Sequence, residues 1–366
     1  MQPDVVVMGG GPAGIATAIA ASLKGLRVTV IDLRKPPIDK PCGEGLLPNA
    51  VLALSQLGIE LRPDRMFPFS RVSFLDENSF ASARIQTGRA FGVRRTVFHR
   101  LLVDRACDLG VTFLWSTRVG RLDSRGVETS AGFIPSRWLV GADGSVSTVR
   151  RWAGLEPRRR ARLRFGFRRH YEIAPWTDGV EVHWGQKCQL VITPTGCAEV
   201  CLSLFTSNPR LRLPCALDRF PAVARRVAGT RPTSAESGAV TFLSKARAVV
   251  KGNTALVGDA SCTVDGIAGQ GLSLAFRQAL HLAEALARGD LAHYAARHSR
   301  TARTPILTTR LLLAMNRSSG LRSKVLRLMA EKPALFAKMI SIHTGESPEA
   351  FHAADMLRLG WQVMWA

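Results

Sequence analysis

The chain has 366 residues, of which 46% are hydrophobic and 21% charged, the composition of an ordinary globular protein with about two domains. Length and composition together exclude a small disulfide-stabilised scaffold, an extensively disordered chain and a polytopic membrane protein. The formal net charge of +22 makes nucleic acid, an anionic membrane surface and acidic cofactors the candidate partners.

The cysteines and the apolar N-terminal stretch bear on the cellular compartment. The seven cysteines are scattered without a C-x-x-C pair, and the histidines form no cluster at zinc spacing. These features predict a cytoplasmic protein without a bound metal. The apolar stretch 5–23 lacks a basic leader and contains a run of glycines, so a nucleotide-binding turn explains it better than a signal or an anchor.

The first predicted unit is a strand, a glycine-rich turn and a helix. A buried-strand pattern over 4–8 is followed by Gly9-Gly-Gly11-Pro12-Ala13-Gly14 and by an alanine-rich helical run over 15–24. A second buried strand over 27–31 ends in Asp32. A G-x-G-x-x-G motif in this context, with an acid after the second strand, is typical of a dinucleotide site.

Each residue of this motif has a separate physical role. Gly9 allows a tight turn, Gly11 lets backbone N–H groups approach a pyrophosphate, and Gly14 lets the helix and the strand close together. The helix N-terminus favours the phosphate charge, and the Asp32 carboxylate accepts hydrogen bonds from a ribose diol.

Glycine and aspartate follow a predicted strand at two further places. The strand beginning at 137 runs into Asp143-Gly144, and the strand beginning at 253 runs into Gly258-Asp259. Gly269 and Gly271 then open a helix predicted over 272–288. Two nucleotide-facing strand ends so far apart in the chain indicate one extended dinucleotide lying across a sheet.

The remaining segments predict a second sheet and a helical C-terminal part. Apolar and polar residues alternate over 70–76, 80–85, 163–173, 179–184, 188–193 and 199–205. This alternation predicts a separate antiparallel sheet, inserted between pieces of the nucleotide domain and roofing the site. Residues 304–345 predict two or three amphipathic helices with a cationic face, which either cap the two domains or contact anionic lipid.

These three ordered motifs resemble those of the flavoprotein monooxygenase superfamily of the para-hydroxybenzoate hydroxylase type, which includes the geranylgeranyl reductase-like flavoproteins. The resemblance covers roughly residues 3–290 and implies an α/β fold with bound FAD and with NADH or NADPH as the transient reductant. It implies a Rossmann-like FAD-binding domain, an inserted antiparallel-sheet substrate domain and a C-terminal helical segment. The corresponding ranges are 1–68, 96–158 and 250–300 for the first, 69–95 and 159–249 for the second, and 301–366 for the third.

The resemblance also implies which residues contact FAD. Asp259 would bond the ribityl chain, and the helix that starts near Gly269 would direct its positive end at the flavin N1–C2=O edge. Arg95 would contact the pyrophosphate, the alternative being a solvated or structural arginine. The full set of implied cofactor contacts is Gly9, Gly11, Pro12, Ala13, Gly14, Asp32, Arg95, Asp143, Gly144, Gly258, Asp259, Gly269, Gly271 and Leu272.

Three residues are candidates for catalysis. The segment Cys42-Gly-Glu44-Gly resembles the C-G-[DEG]-G motif of the geranylgeranyl reductase-like flavoproteins. Cys42 is either a small residue packed at the edge of the flavin ring or a participant in proton delivery. Glu44 is either a buried hydrogen-bonded carboxylate or a catalytic acid. Asp265 is either an acid or base at the reacting edge or a surface turn residue.

The leading functional prediction is an NAD(P)H-dependent monooxygenase that hydroxylates an aromatic, polyketide or isoprenoid small molecule through a flavin C4a-hydroperoxide. The first alternative is a reductase of prenyl double bonds, and the second is an FAD-binding peripheral membrane protein without turnover. The expected partner is a small lipophilic or aromatic substrate. Nucleic acid is not expected, because the positive charge is dispersed and no recognition helix stands out, and any membrane contact would be peripheral through the basic C-terminal helices.

Overall fold

A computed structural model describes residues 2–64, 66–158 and 161–346. Part of the predicted C-terminal segment, 347–366, lies outside the described residues. The strands, in chain order, are β1 (Val5–Met8), β2 (Val28–Ile31), β3 (Gly45–Leu46), β4 (Phe67–Phe69), β5 (Arg71–Leu75), β6 (Phe80–Arg84), β7 (Ala90–Gly92), β8 (Thr112–Leu114), β9 (Val119–Asp123), β10 (Gly126–Thr129), β11 (Gly132–Pro135), β12 (Trp138–Gly141), β13 (Arg164–Glu172), β14 (Gly179–Gly185), β15 (Cys188–Gly196), β16 (Glu199–Thr206), β17 (Ser237–Thr241), β18 (Ser244–Lys245), β19 (Val250–Lys251), β20 (Thr254–Leu256) and β21 (Cys262–Thr263). The helices are α1 (Pro12–Ser22), α2 (Pro48–Gln56), α3 (Arg95–Asp108), α4 (Thr148–Trp152), α5 (Leu213–Leu217), α6 (Pro221–Val227), α7 (Gly271–Arg288), α8 (Leu291–Arg317), α9 (Ser319–Glu331) and α10 (Pro333–Thr344), with short 3-10 turns at Gly258–Ala260 and Gly266–Ala268.

A six-stranded sheet forms the nucleotide-binding half of the molecule. Its order is β19-β20-β12-β1-β2-β8, and every pair is parallel except the edge pair of β19 and β20. The four residues of β1 are all buried, as expected for a strand covered on both faces. Helices α1, α2, α3 and α7 cover one face, and the small sheet of β9, β10 and β11 packs on the other. This arrangement confirms the predicted Rossmann-like fold.

A seven-stranded sheet, here called the large sheet, forms the other half. Its order is β17-β13-β16-β15-β14-β5-β6, and its pairs are antiparallel as predicted, with the single exception of β14 and β5. Both strands of this parallel pair begin at the same end of the sheet. The N–H of Ser70 donates to the carbonyl oxygen of Asp178 at 2.9 Å, which joins the two starting points.

The C-terminal helices cover one face of the large sheet. Helices α8, α9 and α10 pack their apolar residues against β5, β6 and β14, and the rings of Phe74 and Phe336 lie 5.3 Å apart. The opposite face is covered by α5 and α6. The prediction of amphipathic helices is therefore matched by their packing. In the part of the chain that the structure describes, no helix is long and apolar enough to cross a bilayer.

A small three-stranded sheet joins the two halves. Its order is β3-β7-β4, so it draws on residues from both sides of the predicted boundary at 68 and 69. Strand β7 lies directly against β15 of the large sheet, where Gly92 approaches Pro194. The predicted domain boundaries stay a prediction, but this sheet fixes where the two halves meet.

The contact at Gly92 yields a stability prediction. A Cβ atom on Gly92 would lie 1.6 Å from the carbonyl oxygen of Pro194, so β7 and β15 would have to separate. We expect Gly92→Ala to lower the free energy of unfolding by about 1–3 kcal/mol, the usual cost of overpacking. Gly320→Ala is the control, because a Cβ there meets no atom within 4 Å and alanine favours a helix. Equal unfolding temperatures for the two variants would contradict the close approach.

Candidate functional site

One cavity of about 970 Å³ extends from the glycine-rich turn to the C-terminal helices. Most of the residues predicted to contact the cofactor or to take part in catalysis line it. The predicted residues in its lining are Gly9, Gly11, Pro12, Ala13, Asp32, Cys42, Glu44, Arg95, Asp143, Gly144, Asp259, Gly269, Gly271 and Leu272. Three predicted residues, Gly14, Gly258 and Asp265, are not in the lining.

The glycine-rich turn has the space that a pyrophosphate needs at one position only. A Cβ on Gly9 would lie 2.4 Å from the carbonyl oxygen of Ala142, and a Cβ on Gly14 would lie 1.9 Å from that of Gly9. These two glycines therefore serve close packing of strand and helix. Gly11 has no atom within 4 Å of a Cβ position and lines the cavity, so its side is open to a ligand. Helix α1 begins at the next residue.

Two side chains hold this turn in place. One carboxylate oxygen of Asp32 accepts a hydrogen bond from the N–H of Gly10 at 2.7 Å, and the other accepts one from the N–H of Arg34 at 2.7 Å. A carboxylate offers about four acceptor positions, which leaves some for a ribose diol. On the other side, Nε2 of the buried His99 lies 2.8 Å from the carbonyl oxygen of Gly10 and donates to it. Burial lowers the pKa of His99, so the ring is neutral with its proton on Nε2.

Arg95 is a buried cation that faces the cavity. Its residue is 7% exposed, it begins α3, and its N–H donates to Oε1 of Glu44 at 2.9 Å. Nε of its guanidinium has no hydrogen-bond partner among the described residues. Burial lowers the pKa of Arg95, against the effect of nearby acidic groups. A buried arginine without acceptors costs free energy unless a ligand supplies them, and a pyrophosphate would do so bidentately.

Asp143 and Asp259 line the same end of the cavity, but their carboxylates have different roles. Asp143 caps α4, because its Oδ2 accepts hydrogen bonds from the N–H groups of Thr148 and Val149 at 2.7 and 3.0 Å. Asp259 faces the cavity and forms an ion pair with Nζ of Lys40 at 3.3 Å. Gly258 packs against α1, since a Cβ there would lie 2.5 Å from the Cβ of Ala13. Of these residues, Asp259 fits the ribityl part of FAD, because its carboxylate faces the cavity.

The loop that carries Cys42 and Glu44 is fixed by one buried carboxylate. Glu44 is 2% exposed and has a φ of 58°. Its Oε1 accepts from Nη1 of Arg168 at 2.7 Å, and its Oε2 accepts from Nε2 of His170 at 2.6 Å. Of the two alternatives for Glu44, this geometry favours the buried hydrogen-bonded carboxylate.

Arg168 connects Glu44 to Asp39, which lies on the outer side of the loop. Burial works to lower the pKa of Arg168, but its hydrogen bonds to Asp39 and the charge of Glu44 raise it overall. The guanidinium therefore stays charged and links the loop to β13. Cys42 is half-buried, lines the cavity, and its Sγ accepts a hydrogen bond from the N–H of Glu44 at 3.4 Å. Both alternatives for Cys42 remain compatible with this position.

Asp265 is not the surface turn residue that one alternative predicted. It is 1% exposed and pairs with the equally buried Arg164, whose Nη1 lies 2.6 Å from its Oδ1. The same oxygen accepts from the N–H of Ile267 at 3.0 Å and so shapes the turn Gly266–Ala268, which lines the cavity. Burial raises the pKa of Asp265, and Arg164 opposes that effect. Because the side chain is outside the lining, an acid or base role is not favoured.

One group of side chains has the composition of a metal site. Ligand atoms of the buried Glu44, His170 and Cys201 all lie within 4.8 Å of one another. The carboxylate already accepts hydrogen bonds from Arg168 and His170, and burial raises the pKa of the Cys201 thiol well above its usual value. A protonated thiol and a carboxylate paired with arginine do not favour metal binding.

The geometry of Gly11 yields a prediction for cofactor binding. Gly11→Val should fold, because the position is open, but the branched side chain would occupy the space needed by a pyrophosphate. We expect apo protein with an unfolding temperature within about 2 °C of the wild type and with no stoichiometric FAD, measured by thermal unfolding and by absorbance after reconstitution. Full FAD content in a folded Gly11→Val variant would refute the placement.

Comparison with known proteins relates the fold and the motifs to flavoproteins. A menaquinone reductase of Mycobacterium tuberculosis is 57% identical over 56 residues, 15% of this chain and 14% of that protein. Digeranylgeranylglycerophospholipid reductase 1 of Methanopyrus kandleri is 33% identical over 170 residues, 43% of this chain and 44% of that protein. The solved structure of p-nitrophenol 4-monooxygenase PnpA of Pseudomonas putida is 19% identical with a TM-score of 0.78, covering 90% of this chain and 94% of that one.

The matches with the two reductases cover only part of each protein. The chain spans 14% and 44% of the length of these two reductases, so the matches do not establish their activity for this chain. The likeness to PnpA shows the fold alone. The sequence profile of the family described as "FAD binding domain" matches residues 2–178, which contain the glycine-rich turn, Arg95 and Asp143. Residues 2–178 therefore form an FAD-binding domain of this family, and a geranylgeranyl reductase-like protein is among the relatives of the chain.

Proposed function

We propose that this protein is an FAD-dependent oxidoreductase of a lipophilic small molecule, acting as an NAD(P)H-dependent monooxygenase. The observation that carries the proposal is the division of a single cavity into a polar end and an apolar end. The polar end contains Gly11, Arg95 and Asp259, and the apolar end lies between the large sheet and the C-terminal helices. A cofactor at the first end would present its reactive ring to a substrate at the second.

The polar end offers each part of FAD a matching group. Gly11 and the start of α1 would hold the pyrophosphate with Arg95, Asp32 would bond the adenosine ribose, and Asp259 would bond the ribityl chain. Helix α7 begins at Gly271 in the cavity wall, where its N–H groups favour negative charge on the flavin. When bound, FAD would supply two-electron redox chemistry and the activation of O2.

The apolar end, here called the chamber, is built to exclude water. The large sheet contributes Val72, Phe74, Val180, Val182, Val191 and Phe205, and helices α8, α9 and α10 contribute Leu307, Leu311, Leu312, Met315, Met329, Phe336, Met339 and Ile340. An apolar wall of this extent binds an aromatic, polyketide or isoprenoid compound by burial of its surface. Excluding water also protects a reactive oxidised species from unproductive decay.

A reductase of prenyl double bonds is the second candidate, and two specific observations favour it. Cys42 lines the cavity in a C-G-E-G loop, and in a reductase its thiol would deliver the proton. The digeranylgeranylglycerophospholipid reductase described above is similar to this chain over 170 residues. The chamber suits a prenyl chain as well as an aromatic ring, so the thiol is the feature that separates the two reactions.

The peripheral membrane contact stays a prediction. The apolar residues of α9 and α10 are accounted for by packing on the large sheet. Their outer faces expose cations such as Lys324 and Arg327, which would meet an anionic surface without inserting into it. Such a contact would bring the chamber close to a lipophilic substrate held in a bilayer.

The role of Cys42 gives the prediction that separates the candidates. If the protein is a monooxygenase, no thiol proton is needed at the substrate, and Cys42→Ser should change coupled turnover less than about twofold. The measurement is NADPH oxidation with O2 uptake, using 4-propylphenol and geranylgeraniol as probes. Cys197→Ser is the control, because Cys197 is exposed and lies outside the cavity lining.

The opposite result would identify the reductase. In that case geranylgeraniol is saturated without O2, and Cys42→Ser lowers this reaction at least about tenfold, because a positioned acid contributes about 10²–10⁴-fold. Reduction of the flavin by NADPH would stay intact in the variant. Such a selective loss would overturn the monooxygenase proposal.

A further inference from the structure

His343 is a polar residue in the largely apolar end of the cavity, where Thr308 of α8 also belongs to the lining. Helix α10 turns Phe336, Met339, Ile340 and His343 toward the cavity, a spacing of three, four and seven residues that defines one helix face. Three of these four side chains are apolar. The last one, His343, therefore brings a hydrogen-bonding ring into a helix face that is otherwise apolar.

His343 lies against the turn that precedes the flavin-facing helix. Its ring is directed at the backbone of Ala268, an interaction that works to raise its pKa, and its own carbonyl oxygen accepts a hydrogen bond from Nε2 of Gln270 at 2.5 Å. Gln270 is buried and directly precedes α7, and its Oε1 accepts from Oγ1 of Thr308 on α8 at 3.2 Å. Helices α7, α8 and α10 are thus held together at this point, which fixes the position of the imidazole beside the start of α7.

The ring of His343 is neutral and has one nitrogen to spare. Burial lowers its pKa to about 4, and the hydrogen bond to the Ala268 backbone acts in the opposite direction, as an N–H donated to the carbonyl does. A neutral imidazole has one donor and one acceptor nitrogen. With the ring N–H directed at the Ala268 carbonyl, the remaining nitrogen is an acceptor.

The chamber has no unpaired positive charge for an acidic head group. Among the described lining residues of the large sheet and of α8, α9 and α10, the titratable side chains are Arg168 and His343. The terminal nitrogens of Arg168 are engaged by Asp39 and Glu44. A carboxylate or phosphate placed here would lose its hydration without gaining a counter-charge.

We propose that His343 is a specificity-determining residue that accepts a hydrogen bond from a hydroxyl group of the substrate. The substrate class is then a lipophilic phenol or alcohol with a neutral head group, whose hydroxyl lies next to the turn at Ala268. This inference rests on the proposed function, since it narrows the lipophilic substrate to one kind of head group. The imidazole positions the hydroxyl, and the remaining apolar surface binds the rest of the molecule.

The test compares two ligands that differ only in the hydroxyl group. We expect the FAD-loaded full chain to bind 4-propylphenol about tenfold more tightly than propylbenzene, as one hydrogen bond implies, with dissociation constants measured by calorimetry without reductant. In His343→Phe the two ligands should bind equally, with propylbenzene affinity within about twofold of the wild type. Met339→Leu, on the same helix face, should keep the tenfold preference.

A second variant guards against a folding defect. His343→Asn retains an acceptor oxygen in a smaller side chain and should keep part of the preference for the phenol. An undiminished preference in His343→Phe, or wild-type protein that binds the two ligands equally or binds neither, would overturn the inference. Reduction of the flavin by NADPH, followed in the same samples with and without ligand, tests the proposed function separately.

Discussion

The joining of the two halves depends on the hydrogen bonds that the carboxylate of Glu44 accepts from both of them. It accepts hydrogen bonds from the backbone of Arg95 in the nucleotide half and from Arg168 and His170 on β13 of the large sheet. All three donors are buried, and among the described residues the N–H of Arg95 and Nε2 of His170 have no other acceptor, so removing the carboxylate costs more than the loss of a surface hydrogen bond. The loop with Cys42 is held at the cavity wall as a consequence.

The hydrogen bonds accepted by Glu44 also explain how charge is distributed along the cavity. The oxygens of Glu44 accept hydrogen bonds from Arg168 and His170 and none from the Arg95 guanidinium, which stays available for an anionic cofactor. At the other end, pairing of Arg168 removes a free cation from the chamber. One network therefore makes the first end a site for a pyrophosphate and the second a site for a neutral, lipophilic molecule.

The fold and the FAD motifs could be predicted because their signals are local. Glycine spacing around Gly11 and the strand ends before Asp143 and Asp259 are visible in short windows, and apolar alternation indicates the large sheet. The roles of Glu44 and Asp265 could not, because their partners Arg168 and Arg164 lie 124 and 101 residues away. His99 and His343 were missed as site residues for the same reason. Helical periodicity places a residue on an inner face, but only the tertiary packing shows which carbonyl or cavity it meets.

The most direct measurement of the central claim is FAD binding to Arg95→Met and to Arg94→Met. Arg94 is the matched neighbour, since its guanidinium pairs with Glu199 and does not line the cavity. We predict that Arg95→Met weakens FAD binding at least about tenfold while the unfolding temperature of the apo protein stays equal or rises, because a buried cation without acceptors is removed. Arg94→Met should lower stability and leave FAD affinity nearly unchanged. Unaltered FAD affinity in Arg95→Met would contradict the account.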